Sequence, residues 1–363
     1  MEMHRCFISE RSIELVNEVL RSGWISEGVK VREFEEALIA KGLRNPVAVN
    51  SGTSAIHLGL VVAGVEPGDE IILPAQTFVA TGMAVLMAGA VPVFADIDPH
   101  TGNICPESIK RRVSHRTKAV VPVHWAGLPV DLSALKELSY SYELTIVEDA
   151  AHAFGAEYKG DVIGSISRFT AFSFQSIKHL TTGDGGALCC QLATDETKAR
   201  RGRWFGWDRS RPTGPLGERT DKVVDPGFKY HMNDLAAAVG LGNLEGFPYR
   251  LARRRDIDNI YRKELEGVKG LSLLKQYNDR TSACWIFSVL VDRRTDFVLA
   301  MKKRGIPCSV INSRIDRHPV FGGVRSNLPG QAEFDAKHIA LPCHDGLTDE
   351  DVYKVVEAVK GGW

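Results

Sequence analysis

Short, fully apolar segments alternate with helical stretches along the first half of the chain. Residues 46–50, 70–74 and 91–97 read PVAVN, EIILP and VPVFADI, and KAVVPVH at 118–124 and LTIVEDA at 144–150 continue the series. Strands that lack polar alternation are typical of a mainly parallel sheet with helices on both faces. Because such sheets carry their sites at the carboxyl ends of the strands, we expect the functional residues there.

The rest of the chain divides into further elements. FTAFSF at 169–174 and GGALCC at 185–190 predict two more strands, and SGWISEG at 22–28 interrupts the helical spacing of residues 12–40. After Gly246 we predict a helix near 248–265, a strand at 284–291, a helix near 295–304 and a terminal helix at 348–360. The sequence thus predicts a large domain over residues 1–246 and a smaller α/β domain over 247–363.

The composition excludes several kinds of partner. Lys plus Arg and Asp plus Glu both number 45, whereas binding to nucleic acid or anionic membrane usually needs a basic excess. The N-terminus is charged, and no run of about 18 apolar residues appears, so we expect a cytoplasmic protein. The seven cysteines lack a CxxC pair; we interpret them as reduced thiols and expect no metal site.

A candidate anion site follows the first strand. In SGTSAIHLGL at 51–60, Gly52 allows the backbone to approach a ligand, and Thr53 and Ser54 begin a helix whose free N–H groups favour an anion. An ordinary serine or threonine N-cap explains this segment alone at least as well.

Three further candidates follow later strands. Asp149 ends LTIVEDA, with His152 three residues on, and such an aspartate either holds a protonated ring nitrogen or caps the next segment. Lys178 lies between an apolar strand and a Gly185-Gly186 turn, which indicates partial burial. Burial would lower its pKa and leave a neutral amine able to attack an aldehyde.

Several long motifs occur together in one order. They are SGWISEGVKVREFE at 22–35, SGTSAIHL at 51–58, GDEIILPAQTFVAT at 68–81, GAVPVFADID at 89–98, VPVHWAGLPVDL at 121–132, VEDAAHAFGAEYKG at 147–160 and FSFQSIKHLTTGDGG at 172–186. On these motifs the sequence resembles the DegT/StrS family of nucleotide-sugar aminotransferases. The resemblance implies a fold type I enzyme that uses pyridoxal 5′-phosphate to move an amino group, with glutamate as the expected donor, to a keto group of a nucleotide-linked deoxysugar.

The resemblance also implies roles for individual residues. Lys178 would carry the cofactor as a Schiff base, Asp149 would meet the pyridine nitrogen, and His152 would contact the ring hydroxyl. The phosphate and the ring would be held by Gly52, Thr53, Ser54, Ser173 and the stacking Phe78.

Two segments depart from the family pattern. Family members are typically homodimers that share active sites through a G-Y-N-Y-R-M segment, and here the stretch at 227–240 reads GFKYHMNDLAAAVG. Lys229 replaces the asparagine that reaches the phosphate of the cofactor in the partner subunit. His231 replaces the arginine and is a candidate for binding the substrate. In NSRIDRHPVFGG at 312–323, Arg314, Arg317 and His318 are candidates for contacting the sugar or diphosphate, or else belong to a charged surface loop. Trp24 resembles part of the substrate mouth and equally suits simple packing.

Other functions remain open at this level. Some members of the family dehydrate a sugar and carry histidine in place of the Schiff-base lysine. Here Lys178 occupies that position of the motif, which argues against dehydration. Amination of a keto cyclitol uses the same kind of site. A regulator that binds the cofactor without turnover is the alternative from another class, although it would not need Lys178.

Overall fold

The structure, a computed structural model, describes residues 1–209, 213–220 and 222–363. Its helices are α1 Glu10–Ser22, α2 Val29–Ala40, α3 Gly52–Val62, α4 Val79–Met87, α5 Pro106–Lys110, α6 Leu132–Tyr142, α7 Ala193–Gly202, α8 Asp234–Glu245, α9 Phe247–Leu265, α10 Arg294–Lys303, α11 Pro329–Lys337 and α12 Asp349–Lys360. Its strands are β1 Pro46–Val49, β2 Glu70–Pro74, β3 Val91–Ala95, β4 Thr117–Val120, β5 Thr145–Asp149, β6 Glu157–Tyr158, β7 Asp161–Val162, β8 Phe169–Ser173, β9 Gly186–Cys190, β10 Leu271–Leu273, β11 Arg280–Thr281, β12 Phe287–Val291 and β13 His338–Leu341.

Seven strands form one large, mostly parallel sheet in the order β1-β9-β8-β5-β4-β2-β3. Strand β9 runs antiparallel to both β1 and β8, and the other pairs are parallel. Separate hydrophobic cores contact this sheet, with Ala48, Ile72 and Phe172 in one and Val47, Ile71 and Phe169 in the other. Because neighbouring residues of a strand face opposite sides, both faces of the sheet are covered. The predicted mixed α/β fold with a mainly parallel sheet is confirmed.

The break between α1 and α2 follows from glycine. Gly23 ends α1 with φ +72°, a conformation that glycine adopts without strain. A Cβ on Gly28 would lie 2.5 Å from the Trp24 indole nitrogen. The Asp234 carboxylate then accepts the N–H groups of Gly28 (2.8 Å) and Val31 (3.1 Å), so a side chain from α8 satisfies the start of α2.

The C-terminal elements have a core of their own. It includes Tyr261 of α9, Phe287 of β12 and Val355 of α12, and β10-β12-β13 form an antiparallel sheet beside it. Phe247, the first residue of α9, packs instead in a core of the large sheet. Residue 247 therefore coincides with a helix start, and the division into two domains there stays a prediction.

Two predicted strands are shorter than expected by three residues each. The segment at 284–291 becomes extended only from Phe287, because Cys284 has φ +48° and leaves the strand geometry. The segment at 118–124 gives the strand Thr117–Val120, since Pro122 lacks the N–H group that a ladder needs.

No helix among the described residues is long and apolar enough to cross a membrane. The seven cysteines, all within the described ranges, are free thiols. The cytoplasmic location stays a prediction.

Candidate active site

A cavity of about 530 Å³ opens at the carboxyl ends of β5 and β8 and at the start of α3. Seven residues singled out in the sequence line it: Gly52, Thr53, Phe78, Asp149, His152, Ser173 and Lys178. The strands deliver these side chains to one edge of the sheet, as parallel sheets do. Residues that lie more than 120 positions apart in the sequence thus share one cavity.

Lys178 lies in the loop between β8 and β9. Its side chain keeps part of its surface open to the cavity, but the surrounding protein removes water from the amine. This desolvation lowers the pKa of Lys178 from 10.5 to about 8, and the charge of Asp149 opposes the shift. A substantial fraction of the amine is therefore neutral, and hence nucleophilic, near pH 8.

Asp149 ends β5 and is held by two donors. Its Oδ2 accepts the hydroxyl proton of Thr81 (2.7 Å), and its Oδ1 accepts the backbone N–H of Ala151 (3.1 Å). Because the hydroxyl proton of Thr81 is used in this way, Thr77 is the donor in the 2.6 Å contact between the two threonine hydroxyls. A short chain of hydroxyls thus fixes the carboxylate that faces the cavity.

His152 presents a neutral ring to the same cavity. Burial lowers its pKa well below 6.5, and the positive charge of Lys178 adds to the effect. Its Nδ1 is buried and has no hydrogen-bond partner in the described part of the chain. Buried nitrogens are rarely left without a partner, so this atom is available to a ligand.

Ser51 is the residue that caps α3. Its hydroxyl accepts the N–H of Ser54 (3.0 Å), while the Ser54 hydroxyl donates to Asn50 Oδ1 (2.7 Å). Ser54 is not among the residues that line the cavity. A Cβ on Gly52 would lie 2.7 Å from the Cβ of Ser173, so glycine keeps this corner open.

Trp285 and His4 are two of the cavity residues that sequence reasoning missed. Trp285 lines the cavity, and its ring centroid lies 4.1 Å from Lys178 Nζ and 3.8 Å from the centroid of His152. His4 also lines it, and burial together with the nearby charges of Arg254 and Lys178 lowers its pKa to about 4. Neither residue lies in a motif that points to this cavity.

The remaining predicted site residues lie elsewhere. Trp24 lines a second cavity of about 500 Å³ together with Trp204. His231 packs edge-on against Trp204 at 4.4 Å, and Lys229 Nζ lies 5.7 Å from the same ring. None of these three residues lines the Lys178 cavity, and their roles stay predictions.

A third cavity, of about 440 Å³, adjoins the first. It shares Thr77, Phe78 and Asn312 with the Lys178 cavity and is also lined by Arg317 and His318. Arg314 is not among its lining residues, because its guanidinium is bound to the Asp316 carboxylate by two contacts of 2.6 Å. Substrate contacts of Arg314 and His318 stay predictions.

Comparison with known proteins identifies the family. The sequence model of the DegT/DnrJ/EryC1/StrS aminotransferase family matches residues 7–360. The chain belongs to this family. The predicted family, the aminotransferase activity and the fold type I architecture are confirmed.

Individual relatives agree with this family. The chain is 32% identical to the UDP-4-amino-4-deoxy-L-arabinose–oxoglutarate aminotransferase of Shewanella sediminis, over 97% of this chain and 95% of that protein. The sugar aminotransferase CalS13 of Micromonospora echinospora matches with a TM-score of 0.95 and 32% identity, over 100% of both chains. The putative sugar aminotransferase Spr1654 of Streptococcus pneumoniae, solved in PLP and PMP forms, matches with a TM-score of 0.91 and 28% identity, over 99% of this chain and 98% of that chain.

Proposed function

We propose that this protein uses pyridoxal 5′-phosphate to move an amino group from glutamate to the keto group of a nucleotide-linked deoxysugar. The observation that carries the proposal is that Lys178 and Asp149 face one cavity, close enough for the carboxylate to affect the pKa of the amine. The names of the Shewanella and Streptococcus relatives support the donor and the cofactor.

The cavity fits the cofactor. The unpaired Nδ1 of His152 offers a polar contact, and the absence of a Cβ on Gly52 leaves room beside Ser173 at the start of α3. Free N–H groups at a helix start favour a phosphate. Lys178 would hold the aldehyde, Asp149 the pyridine nitrogen and His152 the ring hydroxyl. Gly52, Thr53 and Ser173 would hold the phosphate, and Phe78 would stack on the ring.

The chain's own residues bind, orient and move protons. When bound, pyridoxal phosphate supplies the sink for the electrons that remain when the donor loses its α-proton, and this chemistry is the cofactor's own. Lys178 Nζ would accept that α-proton and deliver it to the cofactor's former aldehyde carbon, since its lowered pKa lets it act as both base and acid near neutral pH. Asp149, held by Thr81 and Ala151, would accept a hydrogen bond from the pyridine nitrogen and so keep that nitrogen protonated.

The sugar nucleotide would extend into the adjoining cavity. Phe78 and Asn312 line both cavities, and Arg317 and His318 line only the outer one. A guanidinium is well suited to a diphosphate. We therefore place the keto sugar beside Lys178 and the diphosphate toward Arg317.

We also propose that the protein is a homodimer with shared active sites. Trp24, Lys229 and His231 cluster around Trp204, and none of them lines the Lys178 cavity of its own chain. In a dimer this cluster would serve the active site of the partner subunit. The Lys229 ammonium group would then contact the phosphate of the cofactor bound in the partner subunit.

The position of His179 argues against sugar dehydration. A dehydratase of this family would present a histidine where Lys178 stands, and His179 is the neighbouring candidate. Its Nε2 instead lies 2.7 Å from the carbonyl oxygen of Phe154, and the residue is absent from the lining of the Lys178 cavity. Amination of a keto cyclitol would use the same lysine, so the site does not distinguish it from amination of a keto sugar. The experiment therefore compares a keto cyclitol with a nucleotide-linked keto sugar.

Half-reactions test the proposal. Glutamate added to the purified, cofactor-loaded protein is expected to bleach the visible absorbance of the pyridoxal form. Subsequent addition of a nucleotide-linked 3-keto or 4-keto deoxysugar is expected to restore it. Lys178→Ala should abolish both changes, while Lys136→Ala, which removes an exposed lysine of α6, should leave them intact. No bleaching by glutamate would favour a regulator, and restoration by a keto cyclitol alone would identify that substrate class instead.

A further inference from the structure

We infer that Trp285 is a positioning residue that holds both Lys178 and His152 in their working orientations. The inference rests on the proposed function, since it concerns the amine and the imidazole assigned there. Three separate contacts of one indole ring, which is 2% exposed, carry it.

The first contact fixes the plane of His152. The rings of Trp285 and His152 stack at a centroid distance of 3.8 Å and an interplanar angle of 14°. Trp125 meets the same imidazole edge-on at 5.8 Å. Because Nδ1 of His152 has no hydrogen-bond partner in the described part of the chain, that atom does not fix the ring. The tryptophan packing therefore determines where the ring nitrogens point.

The other two contacts fix Lys178. The indole Nε1–H donates to the carbonyl oxygen of Ile177 (3.1 Å), which belongs to the peptide bond that joins Ile177 to the lysine. The amine of Lys178 lies 4.1 Å from the centroid of the indole ring, within the range of a cation–π interaction. Trp285 thus holds the backbone at the lysine and favours the charged form of its amine when that amine is free.

Trp285 is itself anchored away from the loop that carries Lys178. Its N–H donates to the carbonyl of Ala126 (3.0 Å), and its carbonyl accepts from Arg254 Nη1 (3.1 Å). Arg254 is buried and also binds the carbonyl of Cys343 (2.7 Å) and the carboxylate of Asp345 (3.1 Å). The indole therefore projects from a fixed part of the C-terminal region, as a positioning residue requires.

Two variants separate the contributions of the ring. Trp285→Phe keeps an aromatic face and removes the N–H donor, whereas Trp285→Leu removes both. Trp363→Leu is the matched control, because Trp363 also donates its Nε1–H to a backbone carbonyl, that of Asp292 at 2.6 Å, but lies outside the cavity.

The first measurement uses the apoprotein. Acylation of Lys178 by isotope-labelled acetic anhydride is followed against pH by peptide mass spectrometry. Loss of the cation–π contact is expected to move the midpoint down by about 0.5 pH unit in Trp285→Leu, less in Trp285→Phe and not in Trp363→Leu. A midpoint in Trp285→Leu that stays or rises would overturn the cation–π contribution.

The second measurement is the half-reaction with glutamate in the loaded protein. We expect the rate at saturating glutamate to fall roughly tenfold in Trp285→Leu, with partial recovery in Trp285→Phe and little change in the concentration for half-saturation. The kinetic isotope effect with α-deuterated glutamate should rise, since a displaced amine slows proton transfer; a mere loss of folded protein would leave it unchanged. An unchanged rate and isotope effect in Trp285→Leu would refute the inference, whereas failure of the wild-type half-reaction would refute the proposed function.

Discussion

The amine of Lys178 is expected to react as a neutral nucleophile well below the pH at which ordinary lysines do. Desolvation lowers its pKa from 10.5 to about 8, against the opposing charge of Asp149. At pH 7 the neutral fraction is then roughly one in ten, compared with about one in three thousand for an unperturbed lysine. The difference corresponds to a roughly 300-fold gain in reactive amine.

Competitive acylation of the apoprotein across pH 6 to 11 measures this gain. The labelled fraction of the Lys178 peptide should rise tenfold per pH unit up to about pH 8 and then level off. The exposed Lys136 gives an internal reference for the reagent. A plateau reached only above pH 10 would show that the amine is well solvated, and the reasoning from burial would be wrong.

The same shift predicts how stability depends on pH. Because the folded state depresses the pKa of a basic group, the unfolded chain binds more protons between about pH 8 and 10.5. The contribution of Lys178 to the free energy of unfolding should therefore rise over this window, by on the order of 3 kcal/mol. Lys178→Met should be more stable than the wild-type apoprotein at pH 7 in urea unfolding, and a less stable variant would contradict this.

Three further substitutions follow from the structure. Thr81→Val removes a donor to Asp149, so the glutamate half-reaction should slow about tenfold, and Thr81→Ser should restore it; an unchanged rate in the valine variant would count against this role. Gly52→Ala would place a methyl group 2.7 Å from the Cβ of Ser173, which should weaken cofactor affinity in equilibrium dialysis by about tenfold, and undiminished affinity would show that the corner has spare room. In Glu35, burial opposes ionisation but two arginines outweigh it and lower the pKa; Glu35→Gln should cost about 3 kcal/mol at pH 7 by urea unfolding. This difference in the free energy of unfolding should shrink as the pH falls below 4.5. A difference independent of pH would show that the pKa of Glu35 is not lowered by folding.

The parallel sheet made much of the site predictable. The apolar strands locate the carboxyl ends, and Asp149 directly ends a strand, while Ser173 and Lys178 end or follow the next one in the sheet. Local sequence sufficed here because the chain itself carries each residue to the edge of the sheet.

Contacts between distant segments could not be predicted in the same way. Trp285 lies in an apolar stretch whose sequence resembles a strand. In the structure the preceding Cys284 has a positive φ, and the Trp285 ring contacts Lys178. His4 reaches Trp285 from the other end of the chain, with ring centroids 5.8 Å apart. Such pairs depend on how two distant regions pack, which a single sequence does not record.

Local pairing also decided what charged residues do. Arg314 suits a diphosphate by its chemistry, yet it is bound to Asp316 two residues away. The Ser54 hydroxyl is likewise used by Asn50. A residue type and its place in a motif indicate what a side chain is able to bind, whereas its nearest partner determines what remains free.

Borohydride reduction of the cofactor-loaded protein tests the central claim most directly. Reduction converts a bond between the cofactor's aldehyde carbon and an amine into a stable secondary amine, and proteolysis with mass spectrometry then locates the pyridoxyl group. We predict a single modified peptide that carries the group on Lys178. A group found on another lysine, such as Lys229, or on none, would contradict the account.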